Sequence, residues 1–311
     1  MQLLEADSRL SVFGRNSVVQ YYMELFWHHV RVCQVCCHNK HHQGEDHLMS
    51  YVVANCCTMF QIHCTVPWAT AGTVVFNGDT ACGKEMDNGT SAEEILIYIS
   101  EQCAKDGAEA VFLAGNSDYF LDVTKHLLLA GGRVLVTHGD VIFPQMSPWY
   151  DDAHLYKAAR DSALQQMSQD LRNTLEGQLT SIREAVAELA NSNSCENNNG
   201  SFSNRIQKFQ RWLAKPCRGW AIIRAWHKMP FMAAKFTAQY APEAKFIIIG
   251  HTHHLGVWSV ADRVIVNTGS FSGFGKAAIV RITDADLIVQ KLVRKQDKFF
   301  PGKTIASFQL L

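Results

Sequence analysis

The sequence lacks an excess of charge of either sign. Lysine and arginine together number 29, aspartate and glutamate also number 29, and the formal net charge is +0. We therefore do not expect a protein that binds nucleic acid through overall positive charge. No apolar stretch reaches the roughly 18 residues of a membrane-spanning helix. The first residues, MQLLEADSRLSVFGRNS, lack the basic-then-apolar pattern of a secretory signal, which predicts a cytoplasmic location.

Charged residues of both signs are scarce. They make up 19% of the 311 residues, whereas hydrophobic residues make up 47%. This apolar content is enough to form a buried core, and it excludes a mostly disordered chain. At roughly 150 residues per domain, the length predicts one large domain or two smaller ones.

Cysteine and histidine are concentrated in an irregular N-terminal segment, residues 1–70, which has weak periodicity and few turn signals. Without a secretory signal, a disulfide framework is the weaker interpretation of the 10 cysteines. One alternative is a zinc-binding module within residues 28–64, around the run Cys33-x-x-Cys36-Cys37-His38. No second pair with zinc-ligand spacing accompanies this run. That favours the other alternative, a locally degenerate segment that carries an altered first strand of the following domain, residues 71–311.

From Thr73 onward, apolar runs that are typical of buried strands alternate with polar loops and helical patterns. The stretch from Thr90 to Lys105 predicts a helix, with Thr90 or Ser91 as its N-cap. The apolar runs and the loops after them are TVVFNGD (73–79), EAVFLAGNSD (109–118), RVLVTHGD (133–140), KFIIIGHTHH (245–254), VIVNTGSFSG (264–273) and AAIVRI (277–282). Short strands that alternate with helices predict an α/β fold.

A helical insertion, residues 151–242, separates the third of these strands from the fourth. Apolar residues spaced by three or four predict one long helix with a single apolar stripe. The stripe consists of Leu164, Met167, Leu171, Leu175, Leu179, Ile182, Val186 and Leu189. The stretch from Asn191 to Asn204 is rich in Asn and Ser and predicts a loop.

The second half of the insertion, residues 205–235, combines basic and aromatic residues and contains no acidic residue. Three interpretations stay open. The plainest is an amphipathic pair of helices with a solvated basic face. The second is a cap that attracts an anionic phosphate substrate and, through its Trp and Phe residues, makes peripheral contact with a membrane. Nucleic acid is the least favoured partner, because no recognised binding motif accompanies the charge.

Residue types that bind metals follow four of the predicted strands. In open α/β sheets, sites form outside the carboxyl ends of the strands, so these loops are expected to meet. A mixture of carboxylate, amide oxygen and imidazole suits Mn, Fe or Zn. Cysteine is absent from the loops, which argues against a tetrathiolate zinc site. The residues are Asp79, Asn116, Asp118, His138, Asp140, His251 and His253.

The order of these loops resembles the calcineurin-like metallophosphoesterases over about residues 70–295. The loops are NGD (77–79), GNSD (115–118), THGD (137–140) and GHTH (250–253). The third loop of the family pattern lacks its histidine here, and the fourth is H-G-D. Together with the helical insertion, this looks most like bacterial UDP-2,3-diacylglucosamine pyrophosphohydrolases. The resemblance implies an α/β fold: a calcineurin-like β-sandwich flanked by helices, with a helical cap.

The resemblance also implies roles for individual residues. Asp79 would bridge two metal ions, Asn116, His138 and His251 would complete one site, and His253 would belong to the other. Asp79, Asn116 and His138 would be the catalytic residues. One or two divalent ions (Mn, Fe or Zn, with Mn preferred) would activate a water that attacks phosphorus.

The first motif of the family, D-x-H, is not intact in this chain. One candidate is Asp7-Ser8-Arg9, where Arg9 replaces the histidine and cannot bind a cation. The other is Gln61-Ile62-His63, which lacks the carboxylate. We prefer Asp7 as the metal ligand.

These observations predict a metal-dependent phosphoesterase. Its substrate would be a phosphomonoester or pyrophosphate that is a small molecule, a nucleotide or lipid-linked. Its location would be cytoplasmic and peripheral to the membrane through residues 205–235. The alternative is a catalytically impaired member of the same fold that acts as a binding scaffold, because the first motif is degenerate.

Overall fold

The computed structural model describes residues 51–54, 72–81, 91–194, 216–271, 276–295 and 298–310, all of which belong to one unit, His47–Leu311. Several predictions from the sequence fall outside these residues and stay predictions. They concern Asp7 and Arg9, the cysteine run at residues 33–38, the candidate motif at residues 61–63, and most of the Asn/Ser-rich loop.

The first sheet has six strands in the order β11-β10-β9-β1-β2-β3. Strands β1, β2 and β3 are parallel, and β9, β10 and β11 continue the sheet in antiparallel fashion. Parallel neighbours have their carboxyl ends at the same edge, so β1, β2 and β3 all end at one edge of the sheet. The strands are β1 (Tyr51–Ala54), β2 (Thr73–Asn77), β3 (Glu109–Leu113), β9 (Ala278–Ile282), β10 (Asp286–Lys295) and β11 (Lys298–Gln309).

The second sheet has five strands in the order β4-β5-β6-β8-β7, with β5, β6 and β8 parallel and the outer strands antiparallel. Strands β5 and β6 are almost wholly buried apolar runs, as expected for parallel strands covered on both faces. The strands are β4 (His126–Leu129), β5 (Val134–Thr137), β6 (Phe246–Ile249), β7 (Gly256–Val260) and β8 (Arg263–Asn267).

An apolar core between the two sheets holds them together. It joins first-sheet residues such as Val75 and Val280 to second-sheet residues such as Val136 and Ile248, and all four side chains are fully buried. Two packed sheets with helices on their outer faces form an α/β sandwich. The predicted fold class is therefore confirmed.

The helix α1 (Ala92–Lys105) covers the outer face of the first sheet. Its N-cap is Ser91, whose side chain accepts a hydrogen bond from the Glu94 N–H, while the Glu94 side chain accepts from the Ser91 N–H. This reciprocal capping box confirms the predicted helix start. The buried face of the helix, with Ile95 and Ile99, packs against the outer side of the first sheet.

In its described residues, the insertion between β5 and β6 contains α2 (Ala153–Gln166), α3 (Gln169–Arg172), α4 (Leu175–Ser194) and α5 (Pro216–Tyr240). The prediction of one long helix over the apolar stripe was wrong. Met167 adopts an extended backbone with ψ 152, and the Ser168 side chain caps α3 through the Leu171 N–H. The Thr174 hydroxyl accepts a hydrogen bond from the Gly177 N–H. The hydroxyls of Ser168 and Thr174 accept hydrogen bonds from backbone N–H groups and so favour the start of a new helix. The long helix is therefore interrupted, although the apolar spacing continues through the break.

The apolar stripe itself is buried mainly where it lies on α4. Leu179 and Ile182 are buried together with Met229 of α5 and Ile247 of the second sheet. Leu171, on the short α3, is 41% exposed. The insertion therefore covers the outer face of the second sheet with α4 and α5.

Two arginines bind the insertion to loops of the sandwich. Arg160 of α2 is buried, and its guanidinium donates to the carbonyls of Val141 (3.1 Å) and Phe143 (3.2 Å), just beyond β5. Arg183 of α4 donates to the carbonyls of residues 119, 121 and 123, in the loop after β3. The helices are thus attached to the loops that follow two of the site-bearing strands.

Candidate metal centre

Four loops at the carboxyl ends of strands bring the candidate ligands together. Asp79 follows β2 and Asn116 follows β3 in the first sheet, whereas His138 follows β5 and His251 follows β6 in the second. Because the two sheets face each other, their parallel strands deliver these side chains to one place. The centre lies between the sheets, beside the helical insertion.

The distances show how closely four donor groups approach each other around His138. Its Nε2 atom lies 3.1 Å from Oδ1 of Asn116, 3.4 Å from Oδ2 of Asp79 and 3.3 Å from Nδ1 of His251. His138 is fully buried, and Asp79 and His251 are buried as well. Two imidazole nitrogens, one carboxylate oxygen and one amide oxygen therefore share a single small volume.

Backbone carbonyls orient both imidazole rings. Nδ1 of His138 donates to the carbonyl of Asn77 at 3.0 Å, and Nε2 of His251 donates to the carbonyl of Met146 at 3.0 Å. A carbonyl only accepts, so the protons lie on these outer nitrogens. The inner nitrogens, Nε2 of His138 and Nδ1 of His251, are left facing the shared volume.

The charges in the centre are strongly coupled. Burial alone would raise the pKa of Asp79, but the charge and hydrogen bond of His138 lower it below the ordinary value. Burial alone would lower the pKa of His138, but the Asp79 carboxylate raises it above the ordinary value. Burial, followed by the charge of His138, lowers the pKa of His251. The raised pKa of His138 favours a protonated, positively charged ring beside Asp79, and the lowered pKa of His251 favours a neutral ring.

This donor set fits a divalent ion of the Mn, Fe or Zn type, which accepts nitrogen and oxygen ligands. In the described part of the chain, no group of three or more His, Cys, Asp or Glu side chains has the geometry of a metal site. The set here includes the amide oxygen of Asn116 in addition to the side chains of Asp79, His138 and His251.

Asp79 and Asp118 tie two of the loops together. Oδ1 of Asp79 accepts from the Ser117 N–H at 2.8 Å, and Asp118 accepts from the Thr80 N–H at 2.8 Å and the Gly115 N–H at 2.6 Å. Each loop therefore supplies a carboxylate to the backbone of the other. Burial and the neighbouring Asp79 raise the pKa of Asp118 to about 6, even though these hydrogen bonds oppose the rise.

Asp140 supports the turn after β5. It is buried, its Oδ1 accepts from the Val141 N–H at 3.0 Å, and burial raises its pKa. Arg160 and His138 provide the opposing positive charge. Asp140 therefore stabilises the loop that presents His138.

The backbone is strained at three of the candidate ligands. Asp79, His251 and His253 have φ angles of 54°, 53° and 55°, in the left-handed region that non-glycine residues rarely adopt. Such conformations cost about 1–3 kcal/mol each, and they cluster at functional sites. Their occurrence at three loop residues that point towards one pocket supports a functional centre.

Glycines allow the loops to approach each other. A Cβ atom at Gly115 would lie 2.3 Å from Oδ1 of Asp79, and one at Gly78 would lie 2.4 Å from Nδ1 of His138. Both distances are far below van der Waals contact. Packing against the candidate ligands therefore requires glycine in both the NGD and the GNSD loop. At Gly78 the positive φ of 78° is a second reason for glycine.

A pocket of about 320 Å³ opens onto the centre. Its lining combines polar residues with aromatic residues that come from the insertion and from the loop before it. His138 lies beneath the polar wall and does not line the pocket. The polar wall includes Asp79, Asn116, Ser117, His251, Thr252 and His253, and the apolar wall is formed by Trp149, Tyr150, Ile222 and Trp226.

Sequence reasoning missed several residues of the site. Asn267, at the end of β8, is fully buried and donates to the carbonyl of Gly250 (2.6 Å) and to Oγ1 of Thr252 (2.9 Å), which fixes the loop that carries His251. The only sequence feature that could have indicated Asn267 is its position as a polar residue at the end of an apolar run. The aromatic wall, including Trp149, carries no local signal, because its partners are distant in sequence.

Strand β1 was also missed. It is parallel to β2, with Tyr51 opposite Thr73, so its carboxyl end at Ala54 lies at the edge from which Asp79 projects. Neither Asp7 nor Gln61 directly follows this strand in the sequence. Residues 55–71 lie outside the described part of the chain, so the assignment of the first motif stays a prediction.

Comparisons with known proteins give likenesses of fold only. No protein-family model matches the sequence, and no curated protein matches it. A Vps29 variant from Entamoeba histolytica is 12% identical, with a TM-score of 0.39, and the match covers 84% of this chain and 99% of that one. Wild-type Vps29 from the same organism, complexed with zinc, is 12% identical (TM-score 0.37, covering 85% and 100%). A predicted phosphoesterase from Streptococcus pneumoniae is 14% identical (TM-score 0.35, covering 85% and 99%).

Proposed function

We propose that this chain is a metal-dependent phosphoesterase whose centre is formed by Asp79, Asn116, His138 and His251. The observation that supports this most is the approach of three donor atoms to within 3.1–3.4 Å of Nε2 of His138. A divalent ion bound there would supply an activated water and a positive charge for phosphate oxygens. Mn is the preferred ion, with Fe and Zn as alternatives.

The residues of the chain would position the reacting groups. Carbonyls of Asn77 and Met146 hold the two imidazole rings, so that their inner nitrogens face the centre. Asn116 and His253 line the pocket next to Asp79, where a phosphate group would bind. We assign Asp79, Asn116 and His138 the catalytic roles, with His253 as a ligand of a second ion.

The subtype is a further part of the proposal. The insertion between β5 and β6, which contributes to the pocket wall, supports a likeness to the UDP-2,3-diacylglucosamine pyrophosphohydrolases. The substrate would be a phosphomonoester or a pyrophosphate, either a nucleotide or a lipid-linked molecule. Turnover of the corresponding pyrophosphate, compared with simple phosphate esters, would test the subtype.

We also propose a cytoplasmic protein that contacts membranes peripherally. Along α5, Trp220, Ile223 and Phe231 are 74%, 53% and 59% exposed, and the helix carries no acidic residue. Exposed aromatic residues beside lysine and arginine suit the interface of an anionic bilayer. In the described part of the chain, every helix is too short or too polar to cross a membrane. Sedimentation with vesicles that contain anionic lipid, compared with neutral vesicles, tests this contact.

The main experiment combines metal content and turnover. The full chain, purified without chelator and supplied with Mn²⁺, is expected to bind at least one ion per chain and to hydrolyse bis(4-nitrophenyl) phosphate. His138→Ala and His251→Ala should lower kcat/KM by more than the roughly 10–100-fold that is typical when a supporting residue is lost. His154→Ala, an exposed histidine of α2, is the matched control and should leave turnover unchanged.

A binding scaffold on the same fold is the second candidate. It is favoured by the contact between Nε2 of His138 and Oδ2 of Asp79, 3.4 Å apart, because a protonated His138 would balance this carboxylate without a metal. If the chain is a scaffold, the experiment should show no bound ion and no turnover. The three histidine variants should then have the same metal content and turnover as the unmodified chain. Metal binding without turnover would support the metal centre and contradict the assignment as an enzyme.

A further inference from the structure

The apolar wall of the pocket is constructed from several supporting contacts. The Trp226 indole N–H donates to the carbonyl of Thr252 at 2.9 Å, and its ring stacks on His254 with centroids 4.5 Å apart and planes 14° apart. His254 in turn stacks on Trp258 at 5.8 Å. A Cβ atom at Gly256 would lie 2.4 Å from the Trp258 ring, so a glycine is needed there. The orientation of Trp226 is therefore fixed by the loop that carries His251.

Trp149 is held on the other side of the same wall. Its ring lies 5.5 Å from that of His251 and 6.2 Å from those of Phe143 and Tyr150. Tyr150 is 47% exposed and lines the pocket. Three aromatic rings from two separate segments thus border the same cavity as Asp79 and Asn116.

The charge of the pocket restricts the ligand further. None of the described residues that line it is a lysine or an arginine, and Asp79 is an acid. Apart from a metal ion, the described lining offers no fixed cation for a second phosphate group. A ligand with a single phosphorus and a flat apolar group would match both walls, because aromatic rings stack with planar groups.

We propose that the pocket holds an aromatic ring of the substrate, such as a nucleobase, against Trp149, Tyr150 and Trp226, while a single phosphate group faces Asp79 and Asn116. This proposal rests on the phosphoesterase function proposed above and specifies its substrate class. Of the two substrate classes proposed above, it selects esters of one phosphate rather than pyrophosphates, and it favours aromatic substituents over short alkyl ones.

The test compares two diesters that release the same 4-nitrophenolate and carry the same single charge. Thymidine 5′-(4-nitrophenyl phosphate) presents a base, whereas ethyl 4-nitrophenyl phosphate presents an alkyl group. With Mn²⁺, the full chain should show kcat/KM at least about fivefold higher for the thymidine ester, the factor that corresponds to roughly 1 kcal/mol of stacking. Equal values for the two esters would overturn the proposal.

Tyr150→Ala tests whether the aromatic residues of the pocket cause the preference for the thymidine ester over the ethyl ester. Because this side chain is 47% exposed, its truncation should leave the fold intact and move the ratio of the two kcat/KM values towards one. The matched control is Tyr98→Ala on α1, 38% exposed and outside the pocket lining, which should keep the wild-type ratio. An unchanged ratio in Tyr150→Ala would overturn the assignment.

A binding measurement separates failure of this proposal from failure of the phosphoesterase function. If neither ester is hydrolysed, hydrolysis of phosphodiesters fails, and calorimetric titration with thymidine 5′-monophosphate and ethyl phosphate decides whether the aromatic subsite exists, independently of turnover. Tighter binding of the thymidine compound, lost in Tyr150→Ala and kept in Tyr98→Ala, supports the aromatic subsite. Equal binding of the two compounds overturns it.

Discussion

Replacement of Gly115 by alanine tests the closeness of the loops around Asp79. An added Cβ atom would lie 2.3 Å from Oδ1 of Asp79 and 2.5 Å from its backbone N, whereas real contacts of this kind essentially never fall under 3.0 Å. The backbone atom cannot move by rotation of a side chain. The Asp79 loop must therefore shift by several tenths of an ångström or more.

The magnitude follows from two effects. Overpacking of this kind costs about 1–3 kcal/mol of unfolding free energy. A shift of about 1 Å in a positioned group costs on the order of 100-fold in rate. We therefore expect Gly115→Ala to reduce kcat/KM by roughly 10–100-fold, together with a loss of metal affinity, because the shift is smaller than or close to that distance.

The assays are urea unfolding, calorimetric metal titration and diester turnover. Gly219→Ala is the control: it lies within α5, an added Cβ would meet nothing within 4 Å, and alanine favours helices. This control should keep activity and leave stability equal or slightly higher. If Gly115→Ala retained wild-type metal affinity, turnover and stability, the packing of the GNSD loop on Asp79 would be refuted.

Further predictions concern Asp118, the pH dependence of metal binding, the attachment of the insertion and the reactivity of Cys103. Asp118→Asn should lower kcat/KM by roughly 10–100-fold in the turnover assay, because one amide cannot accept from both the Gly115 and Thr80 N–H groups as the carboxylate does; equal turnover would contradict this. Because Asp79 raises the pKa of His138, an ion must displace a proton there, so calorimetric metal affinity should fall as pH is lowered, with proton release; a pH-independent affinity would count against the site. Arg160→Met should lower the free energy of unfolding in urea by about 3 kcal/mol, because the buried carbonyls of Val141 and Phe143 lose their donor. A loss below about 0.5 kcal/mol would mean that Arg160 does not attach the insertion to the sandwich. Cys103 is buried and burial raises its pKa to about 11, so peptide mapping should show it unmodified by iodoacetamide in native protein and modified after denaturation.

The strands that carry the site were predictable because their signals are local. Each apolar run, such as that before Asp79 or His251, ends at a polar loop within a few residues. Parallel strands in α/β folds place such loops at one edge, so their meeting also followed from general rules. The helix start at Ser91 was predictable for the same reason, since the capping box spans only four positions.

What was missed depends on contacts that the local sequence does not encode. Strand β1 is only four residues long, and it is defined by its partners β2 and β9. The break at Met167 was hidden because an apolar residue continues the helical spacing. The aromatic lining of the pocket was not predicted residue by residue, because Trp149 and Trp226 are distant in sequence and line one pocket only when the insertion packs on the sandwich.

The close approach of His138 to Asp79 bears on how the proposed centre would behave without its ion. A buried carboxylate without a counter-ion is costly, and a vacated metal site usually leaves several such groups unbalanced. Here Nε2 of His138 lies 3.4 Å from Oδ2 of Asp79, and the raised pKa of His138 lets a proton on that ring balance the carboxylate. If the chain is the proposed enzyme, removal of the ion would therefore stop turnover without unfolding the protein, and addition of the ion would restore it.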